Sequence, residues 1–441
     1  MCINEKSALL PSMHVMPRPA RSTAAHRRHL ALAVVALVAA RGAAEGEGGS
    51  ALAGSIAGDL SATDDKACAA EESTAGEAGG VHGGNGASGC GCGSGTLSRD
   101  GGAGARRTAP DGAMPPSATS SDGAAAGAAP RLVWVEGGEF VMGHDNASLS
   151  PSTFFADGEG PARRVRVSGF SIGATEVTNA QWAAFADATG HVSESESFGW
   201  SFVFERELTP AANAAATQAV HAAPWWISVD GASWRHPNGP GSDYLSDGLA
   251  DHPVVHVSWN DAVAFCAWAH PKGRLPTEAE WEFAARGGAS AGSKKRKFPW
   301  GNALTPRGFH RSNVWQGTFP KNNTALDGHA GSAPVEAFGT QNELGLYNMI
   351  GNVWEWVSDY WAVHHPKTPK GTPPLDNPTG ADVAMSTGER TKKGGSYMCH
   401  KSYCHRYRVQ ARSQNSADTG TSNLGFRCVR PGEGGIDGGA A

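Results

Sequence analysis

From residue 132 onward the apolar positions fall into short runs separated by turn residues. Leu132-Val-Trp-Val-Glu-Gly-Gly-Glu-Phe-Val-Met-Gly143 carries two such runs around a Gly-Gly pair, a pattern that predicts a β-hairpin. Val165-Arg-Val167 alternates as a strand with one buried face does. The spacing then changes to that of helices. Thr178 with Gln181 three residues on forms a capping box, Trp182 and Phe185 line one face, and Gly190 closes the segment. Ser258 with Asp261 opens a second helix carrying Val263, Cys266 and Ala267, and Thr277 with Glu280 opens a third that ends before Gly287. The stretches between are rich in Gly, Pro, Asn and aromatic residues with little regular period, which predicts irregular chain pinned by specific contacts. Trp259-Asn260-Asp261 also resembles a lectin-type calcium site, but at a helix N-terminus Asn and Asp are explained as caps.

Composition divides the 441 residues. Residues 45–130 are dominated by Gly, Ala and Ser with almost no aromatics, too little apolar surface to offset the entropy of ordering, and are expected to be disordered. Residues 131–430 regain aromatics and mixed charges and read as one domain; 431–441 return to Gly and small residues as a tail. The one long apolar run, residues 30–40, follows Arg18, Arg21, Arg27 and Arg28 and precedes small residues. That makes residues 1–44 a signal segment, too short in its apolar part to span a bilayer. Met13 or Met16 as start would give an ordinary leading region, and a transit peptide is the competing reading. The sequons at Asn146 and Asn322 agree with a secretory route. A net charge of -5 gives no reason to expect nucleic acid or an anionic membrane as partner.

Of eight cysteines, Cys2, Cys68, Cys90 and Cys92 lie outside the domain and Cys266, Cys399, Cys404 and Cys428 within it. Four cysteines in an oxidising compartment allow two disulfides in three pairings. Cys399 and Cys404 sit five apart in Gly394-Gly-Ser-Tyr-Met-Cys-His-Lys-Ser-Tyr-Cys404. A structural disulfide, a copper(I) site and a redox-active pair all suit that spacing: two thiolates alone match a soft, low-coordinate ion, and exposed labile cysteines exchange with substrate thiols. Zinc is disfavoured, since no second Cys or His pair completes a four-ligand set. Nucleotide-binding glycine loops, the G-x-S-x-G elbow and H-E-x-x-H are absent.

Several long motifs, in order, match one family. Pro224-Trp-Trp226, His252-Pro-Val-Val-His-Val-Ser-Trp-Asn-Asp261, Arg274-Leu-Pro-Thr-Glu-Ala-Glu-Trp-Glu282, Phe298-Pro-Trp-Gly301, Asn352-Val-Trp-Glu-Trp356, the Cys399/Cys404 segment and Ser422-Asn-Leu-Gly-Phe-Arg-Cys428 together resemble the formylglycine-generating sulfatase-modifying factors. The resemblance covers the whole domain. It implies an α+β fold related to C-type lectins, low in regular secondary structure and stabilised by calcium. It also implies an oxidase that uses O2 to convert the cysteine of a Cys-x-Pro-x-Arg segment in an unfolded sulfatase to Cα-formylglycine, with loss of a Cβ hydrogen and of sulfur. The implied copper(I) ligands are Cys399 and Cys404, with the substrate cysteine as third sulfur. Ser396 and His400 are the matching residues beside them, for hydrogen bonding and proton traffic, and Trp354 supplies a wall. Substrate-contacting positions fall on Glu176, Trp225 and Asn423. One implied calcium ion takes Asn313, Asp327 and the carbonyls of Val314 and His329; a second takes Asn348, Glu355 and the carbonyls of Gly351 and Val353.

The resemblance pairs Cys266 with Cys428, which leaves Cys399 and Cys404 as the unpaired remainder. A second bridge of the eukaryotic relatives falls on Ala285 and Val409, so both of its cysteines are missing together. Cys90-Gly-Cys92 resembles the N-terminal Cys-Gly-Cys of lumenal relatives and is expected to exchange disulfides with lumenal thiol proteins or to retain the chain in the endoplasmic reticulum, in the absence of a C-terminal Lys-Asp-Glu-Leu signal. A monomer is expected. The rival readings are a catalytically silent paralogue, which would lack the cysteine pair, an iron-dependent sulfoxide synthase, which needs an added helical domain, and a lectin-like binding module, which needs no free thiols.

Overall fold

The computed structural model describes residues 15–17, 129–145, 157–291, 296–365, 369 and 371–432. The apolar run 30–40, Cys2, Cys68, Cys90-Gly-Cys92, the sequon at Asn146 and the residues after Gly432 lie outside the described residues. Asn322 lies inside them, exposed on the short strand Asn322–Asn323.

The three capped helices form as their boxes predict. Asn179–Thr189 starts at Thr178, whose side chain accepts from the Gln181 amide, and ends at Gly190 with a left-handed φ of 69°. Trp259–Ala269 and Glu278–Ala285 start at Ser258 and Thr277 with reciprocal boxes to Asp261 and Glu280. Asp261 thus acts as a cap, and its carboxylate also accepts from the Glu194 amide and meets His191. Two further helices follow: Glu194–Phe198 begins at Ser193 with a box to Glu196, and Pro210–Ala215 begins at Thr209, whose side chain accepts from the Ala212 amide.

The expected hairpin at 132–142 does not form. Leu132–Val135 pairs antiparallel with Phe170–Gly173, and Gly138–Met142 pairs with Arg163–Val167, so the two runs lie in different sheets. The Gly-Gly pair is a crossing point rather than a hairpin tip: a Cβ on Gly137 would stand 2.7 Å from the Gly169 nitrogen and 2.8 Å from the Val167 carbonyl oxygen, which only glycine permits. Arg163–Val167 does alternate buried and exposed positions as its sequence predicts.

One sheet organises the candidate site. Its strands run in the order Arg412–Asn415, Arg390–Lys393, Trp354–Tyr360, Leu424–Phe426. Glu355 is opposite Lys393 in the antiparallel pair, and Trp354 is opposite Leu424 in the parallel pair. One end of the sheet therefore holds the first residue of the central strand, the last of one neighbour and the first of the other. Beneath it, Lys393 Nζ lies fully buried 3.3 Å from Glu278 and 3.4 Å from Glu282. Burial alone would raise the Glu278 carboxyl; Arg412 and Lys393 overcome it and hold the group well below its usual range. A second sheet, with Ala223–Asp230 between Trp200–Phe204 and Gln218–Val220, docks along residues 421–422, and Val15–Pro17 pairs with its edge strand. Cys266 on the Trp259–Ala269 helix is bonded to Cys428, with Cα atoms 5.4 Å apart. Among the described residues no helix is long and apolar enough to cross a membrane.

Candidate active site

After Lys393 the chain leaves the sheet through Gly394 and Gly395, both at positive φ. A Cβ at Gly395 would lie 2.9 Å from Tyr407 Cα, so the turn needs glycine to bring the next segment against the domain. Residues 396–399 and 403–404 are buried, while Lys401 and Ser402 at the tip are exposed and His400 is intermediate. The His400 carbonyl accepts from the amides of Tyr403 at 3.0 Å and Cys404 at 2.7 Å, and the Cys399 amide donates to the Ser396 carbonyl at 2.8 Å. These turns set the Cα atoms of Cys399 and Cys404 4.7 Å apart and join the two as a disulfide rather than leaving them unpaired, with neither residue accessible to solvent. Among the described residues no group of three or more His, Cys, Asp or Glu side chains is arranged to hold a metal ion. Two soft sulfurs with no hard ligand beside them fit copper(I) better than zinc.

Around the pair, Ser396 Oγ accepts from Asn423 Nδ2 at 2.9 Å and from the Met398 amide at 3.3 Å. With both acceptor positions taken, the hydroxyl hydrogen is the group Ser396 has left to offer. Trp354 is buried at the start of its strand; its amide donates to the Asn423 carbonyl, and Lys392 Nζ lies 5.2 Å from its ring centroid. Half-buried Trp225 meets Tyr403 edge-on at 4.9 Å and Phe319 at 5.1 Å, and Phe319 stacks on Tyr403 at 4.0 Å, an aromatic wall next to Cys404. His400 Nδ1 pairs with Ser402 Oγ at 2.7 Å and accepts from the Ser402 amide at 3.3 Å; partial burial and then Lys401 lower its pKa.

The structure brings the residues of the first oxygen-ligand set together and links them through Asn352 to Glu176 and Asn348 in the region of the second. Asp327 accepts from the amides of Val314 at 3.2 Å and His329 at 3.1 Å, so Asn313, Val314, Asp327 and His329 form one loop cluster whose oxygen donors suit a hard cation. Gly351, with φ 85°, packs so closely on this loop that a Cβ would stand 2.5 Å from the Asn313 carbonyl oxygen. Beyond it, Asn348 Nδ2 donates to Glu176 and to the Val335 carbonyl, leaving its buried Oδ1 with no donor. Glu355 is already engaged: Arg427 grips both its oxygens at 2.7 Å and Trp281 donates to one of them at 2.8 Å.

A profile of the sulfatase-modifying factor enzyme 1-like domain matches residues 117–431. The chain belongs to the sulfatase-modifying factor family. Curated relatives include the formylglycine-generating enzyme of Mus musculus, 53% identical over 299 residues that span 68% of this chain and 74% of that protein. The formylglycine-generating enzyme of Thermomonospora curvata is 49% identical, over 68% of this chain and 92% of that one. The inactive C-alpha-formylglycine-generating enzyme 2 of Bos taurus is 43% identical, over 68% and 85%.

Within this sulfatase-modifying factor domain one expectation is corrected. Glu176 does not line a substrate groove: it has no exposed surface, and its carboxylate accepts from Asn348 Nδ2 and Asn352 Nδ2, each at 3.0 Å. Burial, with Glu355 nearby and against the pull of Arg427, pushes its pKa up to about 7. The buried Glu176 carboxyl thus sits beside Asn348, whose buried Oδ1 has no hydrogen-bond donor. Asn352, read in the sequence only as part of a motif, links the two sets: its Nδ2 serves Glu176 and its Oδ1 accepts from Asn313. Its φ of 58° is a conformation Asn tolerates, and no signal of its role stood in the sequence beyond the motif. Ala285 and Val409, at the positions of the missing second bridge, are both fully buried.

Proposed function

We propose that this chain converts the cysteine of Cys-x-Pro-x-Arg segments in unfolded sulfatases to Cα-formylglycine, with O2 as oxidant and copper(I) held by Cys399 and Cys404. The observation that carries the reading is the buried cysteine pair at the base of an exposed loop tip, ringed by Ser396, Asn423, Trp354 and the Trp225 aromatic wall. The formylglycine-generating enzymes among its relatives support it.

Copper(I), when bound, supplies the one-electron chemistry that lets O2 react with a thiol. The protein residues bind and orient. The aromatic wall excludes water from the sulfurs, Ser396 donates its hydroxyl hydrogen toward the reacting groups, and His400, whose Nδ1 accepts from the Ser402 amide, carries its hydrogen on Nε2 and offers it near the loop tip. Taking CH2SH to CHO removes two electrons, whereas reducing O2 to water consumes four, so a thiol reductant supplies the other two. The products are the aldehyde, hydrogen sulfide, water and the disulfide of that reductant.

Two calcium ions at the Asn313 and Asn348 clusters would brace the loops that carry Trp354 and the Gly394 turn; the orphaned Asn348 Oδ1 and the high Glu176 pKa support the second. The leader texture and sequons favour action in the endoplasmic reticulum lumen as a monomer, with Cys90 and Cys92 available to lumenal thiol proteins.

The test is direct. The purified chain, reduced and supplied with copper(I), O2 and a thiol, is incubated with a Cys-x-Pro-x-Arg peptide and followed by mass spectrometry. The reading requires copper-dependent loss of about 18 mass units, the change from CH2SH to CHO, abolished by Cys399→Ser and by Cys404→Ser. Peptide binding with no conversion under any of these conditions would instead favour a role like that of the inactive Bos taurus relative.

A further inference from the structure

Glu207 lies outside every motif of the sequence and outside the site as the family resemblance draws it. The residue is half-buried, but its carboxylate end meets buried side chains. Oε2 accepts from the Tyr397 hydroxyl at 2.8 Å and from Ser422 Oγ at 3.0 Å. Ser422 Oγ itself accepts from the Phe204 amide at 3.2 Å, which leaves its hydrogen to point at Glu207. The other carboxylate oxygen packs on Gly331, where a Cβ would come within 3.0 Å of it.

Tyr397 and Ser422 are the chain neighbours of Ser396 and Asn423. The five residues therefore close a ring: Ser396 is bonded to Tyr397, Tyr397 donates to Glu207, Ser422 donates to Glu207, Ser422 is bonded to Asn423, and Asn423 donates to Ser396. The ring closes a gap that the backbone leaves open. Arg390–Lys393 and Leu424–Phe426 each pair with the central strand and not with each other, so beyond Lys393 and before Leu424 no ladder couples the two segments. Backbone bonds from Tyr397 to Asn352 and from Trp354 to Asn423 tie each segment to the start of the central strand, while side chains supply the direct link between the two, the Tyr397 hydroxyl also lying 3.3 Å from the Ser422 carbonyl.

We propose that Glu207 is a positioning residue for the cysteine-pair site, holding Tyr397 and Ser422 together so that Ser396 and Asn423 keep their alignment beside Cys399. Burial raises this carboxyl and its two hydroxyl donors lower it, leaving it at about 7. The group thus depends on those two donors for the stability of its charge, as they depend on it for their place.

The role in turnover rests on the proposed oxidase reading, so the experiment reads both turnover and the thiols themselves. Glu207→Ala, Glu207→Gln, Tyr397→Phe and Ser422→Ala are made in the full chain. Their kcat and KM for the peptide are measured, together with the rate at which reduced Cys399 and Cys404 react with an aromatic disulfide reagent and with melting temperatures. Glu207→Ala is expected to lower kcat about tenfold to a hundredfold with KM nearly unchanged, the scale of a misaligned group, and to change the thiol rate. Glu207→Gln keeps an acceptor for both hydroxyls and should restore kcat to within about threefold. Tyr397→Phe and Ser422→Ala, each cutting one arm, should fall between, and they carry the test if Glu207→Ala does not fold. Wild-type kcat and thiol rates in Glu207→Ala, whatever its melting temperature, would overturn the proposal, as would a Gln variant as impaired as the Ala variant. A wild-type chain that converts no peptide would defeat the oxidase reading while leaving the thiol rates to decide this one.

Discussion

Asn423 Nδ2 donates to Ser396 Oγ at 2.9 Å across the open end of a sheet, joining two segments that share no backbone hydrogen bond within that sheet. This bond fixes the Ser396 hydroxyl, three residues before Cys399. Replacing Asn423 by Ala removes a buried donor, and a loss of about 1.4 kcal/mol corresponds to a tenfold change. Single-turnover conversion of the peptide by Asn423→Ala is accordingly expected to be about tenfold slower, with a melting temperature about 2–4 °C lower because Ser396 Oγ and Thr421 Oγ1 each lose a buried partner. A rate equal to wild type would remove Asn423 from the site.

The Cys266–Cys428 bond closes a loop with a sequence separation of 162 and is fully buried. Its removal in the double Ala variant should destabilise the domain by about 2–5 kcal/mol, read as a lower denaturant midpoint. Identical midpoints for the variant and the wild type would contradict this.

Calcium should stabilise the fold through the Asn313 and Asn348 clusters. Ligand present at a hundredfold its Kd adds about 2.7 kcal/mol for one site, so chelation should lower the melting temperature measurably. Glu176→Gln should blunt that response, because the neutral amide draws a cation less strongly. A melting temperature indifferent to both chelator and added calcium would rule out the cation at these loops.

Glu207 has a folded pKa of about 7, above the ordinary 4.5. A group shifted upward binds more protons in the folded state than in the unfolded one between those values. Its stabilising effect is thus complete below about 4.5 and is lost as pH rises toward 7. Stability of the wild type relative to Glu207→Gln should fall across that window and level off above it, as measured by denaturation at a series of pH values. A relative stability that rises or stays flat between these limits would show that the carboxyl is not shifted upward.

Local chemistry was legible from the chain. Thr178, Ser258 and Thr277 announced their helices because a capping box closes within four residues and owes nothing to the rest of the fold. The Arg163–Val167 strand was readable from its alternation. The cysteine pair and its immediate neighbours were identified by resemblance over long motifs. Partner choice was not legible. The runs around Gly137 look like a hairpin, but they pair with the strands around Gly169, because the close approach at Gly137 allows the chain to cross between sheets.

The same limit explains Glu176 and Glu207. By sequence alone a carboxylate reads as a surface or groove group, since the cost of burying charge disfavours the interior. Only tertiary structure supplies the donors that make burial tolerable: Asn348 and Asn352 for one, Tyr397 and Ser422 for the other. The sequence by itself determined where the helices begin, which cysteines stand close along the chain and which family the motifs resemble, since each of those is written in contiguous residues. Tertiary structure alone decided which strands pair, which carboxylates turn inward and which side chains bridge the open end of the sheet, because those contacts join residues far apart along the chain.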